Sequence, residues 1–218
     1  RQRQMCIRDR TILVPNIPWY GTGSRPLVSY QTAEDSASNN CQPSYVIQTG
    51  FLAQGGGALS GSLESLFGLT ALLKGYAVVY PDYEGPQSQW LAGPQAAHAT
   101  LDGVRAVLQS GHGFSASTKV ALWGYSGGGG ATGWAAALAR QYAPDLNIVG
   151  AAVGSPANVT LSTVLNNLNG GLLSGFVATG LVGLSRAESD LDVTRYLNDR
   201  GLALLKGAGD PNKCLVQE

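Results

Sequence analysis

Beyond residue 10 the chain alternates between short apolar, strand-like blocks and blocks with helical spacing of apolar residues. Pro26–Tyr30 (PLVSY) and Ser44–Thr49 (SYVIQT) are short, β-branched and aromatic, and read as strands. Leu63–Lys74 places Leu66, Leu69, Leu72 and Leu73 at helical spacing. Tyr76–Tyr80 (YAVVY) is a wholly apolar strand that stops at Pro81, and Ala97–Ser110 is a helix with Leu101, Val104 and Leu108 on one face. Lys119–Trp123 (KVALW) reads as a strand, Ser126–Tyr142 as a helix of small residues and Ile148–Val153 (IVGAAV) as a strand. Continuous apolar strands separated by helices predict βαβ units and a mostly parallel sheet with helices on both faces.

From about Ser155 the strand signals fade. Weakly amphipathic helices are expected at Leu161–Leu168, Leu172–Leu184 and Val193–Lys206. The expected organisation is an α/β core over residues 11–154 and the start of a helical cap over 155–218. Residues 1–10 (RQRQMCIRDR) follow neither pattern. They resemble the translation of a sequencing adapter and are set aside as a non-native leader.

Composition sharpens this picture. Charged residues are 13% of the 218, against a usual share of about 25%. Apolar residues are 44%, which excludes a disordered chain. The formal net charge is zero, so the basic excess expected of a nucleic-acid binder is missing. No charged residue occurs from Leu146 to Ser185, yet Pro156 and several asparagines interrupt this stretch. Its longest apolar part, Gly170–Ser185, falls short of the roughly 20 residues that a transmembrane helix needs. Buried helices, or a lid over an apolar site, fit it better. No His or Cys pair has metal-ligand spacing.

The chemistry concentrates at Gly124-Tyr125-Ser126-Gly127-Gly128, a G-x-S-x-G run between a strand and a helix. A serine on such a tight turn sits in strained backbone with its hydroxyl thrust above the sheet. Positions two before and two after it have no room for side chains, which suits Gly124 and Gly128. Gly127 would lend its N–H to an oxyanion at the helix N-terminus. The same glycines admit a dinucleotide reading, because Gly128, Gly130 and Gly133 match G-x-G-x-x-G. That motif should follow its strand at once and be answered by an acid about 20 residues later. Here it starts inside the helix, and Asp145 lies only 12 residues past Gly133.

The elbow segment GYSGGGGATGWAAALA, together with YAVVYPDYEGP, PLVSYQTAEDS, CQPSY and AHATLDGVRAV, resembles the secretory lipases of actinobacteria and yeasts. The resemblance runs in order from about Thr11 to the end. It implies an α/β-hydrolase fold with a helical cap after the sixth strand, here truncated at both ends. It also implies a cofactor-free carboxylic ester hydrolase of triacylglycerol lipase type, working on acylglycerols at a lipid interface, and export of the parent protein. Ser126 would be the nucleophile and Gly127 the first oxyanion donor. A second backbone donor is expected at Asp82, where the YAVVY strand ends and the chain must turn. In an exported protein Cys41 and Cys214 are candidates for a bridge, with free thiols or partners elsewhere as the alternatives.

One departure stands out. In this fold the triad order is Ser, then acid, then His. The chain has only His98 and His112, and both precede Ser126. Asp190, Asp192 and Asp199 follow it but fall in the cap-like region, and none is assigned as the triad acid. The chain is therefore expected to be an inactive fragment of a hydrolase. A short-chain esterase or acyltransferase, or a non-catalytic hydrolase-like module, remain as alternatives.

Overall fold

The computed structural model describes residues 10–49, 56–156, 166, 168, 170, 171 and 173–214. One sheet has five strands: β1 (Arg10–Leu13), β2 (Leu27–Gln31), β3 (Ala77–Pro81), β4 (Val120–Tyr125) and β5 (Ile148–Gly154). Their order across the sheet is β1-β3-β2-β4-β5. β1 runs antiparallel to β3 and every other pairing is parallel. Among the described residues the helices are α1 (Pro43–Thr49), α2 (Gly56–Leu73), α3 (Gly93–Leu108), α4 (Ser126–Tyr142), α5 (Ser174–Ala187) and α6 (Asp199–Ala208).

The central strands are apolar on both faces because both are covered. Leu27, Ala77, Val79, Val120 and Leu122 pack with Leu101, Val104 and Val107 of α3 and Ala135 of α4. On the other face Val28, Tyr30, Val78 and Tyr80 pack with Ala71 of α2 and Ile47 of α1. Tyr30 meets Tyr80 and Trp123 edge to face, the favoured geometry of ring quadrupoles. β5 closes one edge and is exposed, with Val149 at 58%.

Several expectations need correction. Ser44–Thr49 is not a strand but most of α1. Its β-branched composition is overridden by two local facts. Pro43 opens the helix where no amide donor is needed. The Asp82 carboxylate then accepts the Ser44 N–H at 2.9 Å and also the Ser44 hydroxyl, capping α1 from a distant strand end. The helix expected over Val193–Lys206 is split into a 3-10 turn, Val193–Tyr196, and α6. The break falls at Asn198, whose side chain accepts the Gly201 N–H at 2.9 Å as an N-cap. Arg10, set aside with the leader, opens β1 opposite Pro81. Residues 1–9 and most of the helix expected over Leu161–Leu168 lie outside the described residues.

The region after β5 is tied to the core by hydrogen bonds, a disulfide and close helix packing. Arg186 at the end of α5 donates to the carbonyls of Ala37 (2.6 Å), Gln87 (2.9 Å) and Gly209 (3.3 Å). Cys41 and Cys214 form a disulfide with a Cα–Cα distance of 5.8 Å. Gly180 and Gly183 of α5 lie against Leu91 and the Trp90 backbone, where a Cβ would collide with its neighbour.

Candidate active site

Ser126 is the first residue of α4, directly after β4, and has φ +54. A left-handed backbone at a non-glycine residue costs about 1–3 kcal/mol and persists only where the surroundings impose it. The glycines around it explain how the turn closes. A Cβ on Gly124 would strike the Gly128 carbonyl and, at 2.5 Å, the Thr132 hydroxyl. One on Gly128 would strike the Gln31 carbonyl at the end of β2, and one on Gly129 the Gly154 carbonyl at the end of β5. The glycine run thus brings α4 down onto the strand ends on both sides. That packing accounts for Gly124, Gly128 and Gly129.

Gly127 faces Asp35. A Cβ there would collide with the Asp35 carboxylate and sit 3.0 Å from the Trp90 indole nitrogen. Asp35 lies in the loop after β2, is buried and has φ +47. Burial pushes its carboxyl up from 3.8 to about 7, while the Trp90 N–H and the Ser126 hydroxyl, which face it, favour the charged form. The carboxyls of Glu34 and Glu84 are buried nearby with no hydrogen-bond partner in good geometry; burial raises both, with repulsion from Glu84 added at Glu34 and from Asp35 at Glu84. Tyr83, Glu84, Trp90, Gly127, Ala131 and Trp134 line a narrow cleft beside the elbow. The Trp90 ring also meets Phe176 of α5 at 5.8 Å, so the region after β5 reaches the elbow through Trp90.

Asp82 stands elsewhere. Its carboxylate is engaged by Ser44, and the strand order sets it apart. Neighbouring strands are about 4.8 Å apart, so the end of β3 lies roughly 10 Å from β4 and the end of β2 about half that. The β2 loop, and not the β3 loop, therefore lies beside Ser126. Chain order does not reveal this, because β2, not β3, pairs with β4. The signal in the sequence is the run QTAEDS, with two acids and a serine directly after an apolar strand.

Neither histidine reaches the elbow. His98 on α3 stacks on Tyr142, with ring centroids 4.0 Å apart. Tyr142 ends the helix that Ser126 begins, and at 1.5 Å per residue that is roughly 24 Å away. His112 is exposed in the loop that precedes β4, at the opposite end of that strand. Among the described residues no group of His, Cys, Asp and Glu could hold a metal ion, and no helix is long and apolar enough to cross a membrane.

Comparison with known proteins agrees with this architecture. The family model for secretory lipases matches residues 56–218. The chain belongs to the secretory lipase family. Lipase 2 of Candida albicans is 41% identical over 203 residues, covering 91% of this chain and 42% of that protein. A Mycobacterium tuberculosis protein described as a probable inactive lipase is 42% identical over 184 residues, covering 83% of this chain and 40% of that one. The closed-state structure of Candida antarctica lipase A superposes with a TM-score of 0.84 at 36% identity, over 95% of this chain and 47% of that chain. This secretory lipase chain therefore has an α/β-hydrolase fold. It spans less than half the length of these curated relatives.

Proposed function

We propose that the parent protein is a serine carboxylic ester hydrolase of triacylglycerol lipase type, exported, with acylglycerols or simpler esters as substrates. The observation that carries this reading is Ser126 at φ +54 between β4 and α4, with Gly127 and Asp35 converging on it. Ser126 attacks the ester carbonyl. The Gly127 N–H and, in place of Asp82, the Asp35 N–H hold the developing oxyanion. The tetrahedral intermediate collapses, the ester C–O bond breaks and the alcohol leaves with the proton taken from Ser126. Water then hydrolyses the acyl-enzyme to release the acid and restore Ser126. The base must be a histidine from outside these 218 residues, since neither His98 nor His112 is in reach. The chain by itself is thus expected to turn over little. Residues 11–154 serve as the catalytic core and 155–218 as the start of the cap.

The test is Ser126→Ala in the full-length protein, assayed on p-nitrophenyl butyrate and on longer acyl esters. Loss of turnover by about 10⁶-fold supports the nucleophile. Retained turnover removes Ser126 from the reaction. The chain-length profile separates a lipase from a short-chain esterase. A full-length protein with neither turnover nor labelling by a fluorophosphonate would be a non-catalytic module, as the description of the mycobacterial relative suggests for that protein.

A further inference from the structure

Asp35 holds its left-handed backbone within a loop that side chains from two other elements grip. Tyr83, on the loop after β3 and only 2% exposed, donates its hydroxyl to the Thr32 carbonyl at 2.8 Å. The Glu34 N–H approaches the same phenol oxygen at 3.5 Å. From α2, the Glu64 carboxylate accepts the Ala33 N–H. Three successive residues before Asp35 are therefore fastened from outside their own loop. A left-handed residue with no glycine at the position needs this kind of over-determination.

We propose that Tyr83 is a positioning residue for oxyanion stabilisation: its hydroxyl, with the Glu64 carboxylate as a second grip, fixes residues 32–34 so that the Asp35 N–H points at the oxyanion. The inference rests on the reading of Ser126 and Asp35 given above. The phenol is suited to the task because it stays a donor. Burial, with Glu84, Asp35 and Glu34 around it, holds it well above the usual tyrosine range. The donor itself is a backbone N–H, which no side-chain substitution deletes, so the clamp is the handle by which the donor can be moved.

The experiment is Tyr83→Phe in the full-length protein, which removes one hydroxyl and keeps the ring. Three quantities are read: kcat and KM for p-nitrophenyl butyrate, the affinity for an alkyl boronic acid that forms a tetrahedral adduct on the serine, and the melting temperature. The turnover rate should fall about 10-fold or more, toward the roughly 10²-fold typical of a lost oxyanion donor, with KM within about 2-fold. Boronic acid affinity should fall by the same factor. Glu64→Ala should behave alike, and Glu64→Gln, whose amide oxygen can still accept from Ala33, should lose less. A lowered melting temperature with wild-type kcat and boronic acid affinity would overturn the proposal and leave Tyr83 a packing residue. If Tyr83→Phe fails to fold, the two Glu64 variants carry the same readout. If Ser126→Ala retains turnover, the elbow reading falls and takes this proposal with it. If Ser126→Ala is inactive while Tyr83→Phe and Glu64→Ala keep wild-type kcat, the clamp alone is refuted.

Discussion

Two loops leave the C-terminal ends of neighbouring strands, residues 32–38 after β2 and 82–88 after β3. Both carry an Asp, a Glu and a non-glycine residue at positive φ, Asp35 in one and Ser88 in the other. Their roles differ because of where the strands lie. β2 pairs with β4, so its loop lies against Ser126 and Gly127. β3 lies one strand further out, and its loop serves the first: Tyr83 grips Thr32, and Asp82 caps α1. Similar residues thus lie against the elbow in one loop and serve as a support in the other. Sheet order decides which.

The largest test of this contrast is at the anchor of the first loop. Cys41 follows it directly and is bridged to Cys214 across 173 positions of chain. Closing a loop of that length constrains the unfolded chain by about 5 kcal/mol in the entropy model. The second loop has no covalent anchor and meets α5 through Arg186. Replacing both Cys41 and Cys214 by Ser should lower the unfolding free energy by up to about 5 kcal/mol in urea titrations. Reductant should do the same to the native protein and nothing to the variant. A loss under about 1 kcal/mol would mean that Arg186 and the Ser38 hydroxyl on Pro211 already hold that loop.

The second test uses charge. Burial raises Asp35 from 3.8 to about 7, and Glu64 from 4.5 to about 7. A carboxyl whose folded value lies above its unfolded one binds its proton more tightly when folded. Stability then falls as pH rises from about 4 to about 7 and is level outside that window. At about 1.4 kcal/mol per unit, Asp35 contributes about 4 kcal/mol of this fall at most. Urea midpoints at pH 5 and pH 8 should show the native protein weaker at pH 8, and Asp35→Asn should shrink that difference. An unchanged difference in the variant would place the titrating group elsewhere among Glu34, Glu64 and Glu84.

What is legible in the sequence is what is local. The elbow needs five residues and a flanking strand, and the helix expected at Ser126–Tyr142 has the bounds of α4. β3, β4 and β5 are readable from apolar runs and β2 from its β-branched and aromatic residues. What is not legible is non-local. That the loop after β2 lies beside Ser126 is hidden, because chain order does not reveal that β2 sits between β3 and β4. α1 reads as a strand because its cap comes from Asp82, 38 positions beyond Ser44. β1 is four residues at an edge, too short for a period to show. The break at Asn198 is readable in principle, since an Asn before an acidic residue is a helix-start signal.

The smallest effect belongs to Asp82, and it is the one that separates the two loops most cleanly. Its carboxylate takes the Ser44 N–H and hydroxyl, both buried. Asp82→Ala strands those donors at the start of α1 and should cost about 1–2 kcal/mol, the usual range for a lost helix cap. Because α1 packs Ile47 against Val28, Tyr30 and Tyr80, the loss should appear in global stability rather than as local fraying. Turnover at about 25 °C should stay within about 2-fold of the native value, since the support would be weakened without moving the Tyr83 hydroxyl from Thr32. Unfolding titrations and steady-state rates on the same samples distinguish the cases. Turnover lowered about 10-fold or more, with stability unchanged, would put Asp82 back at the oxyanion and reverse the assignment of the two loops.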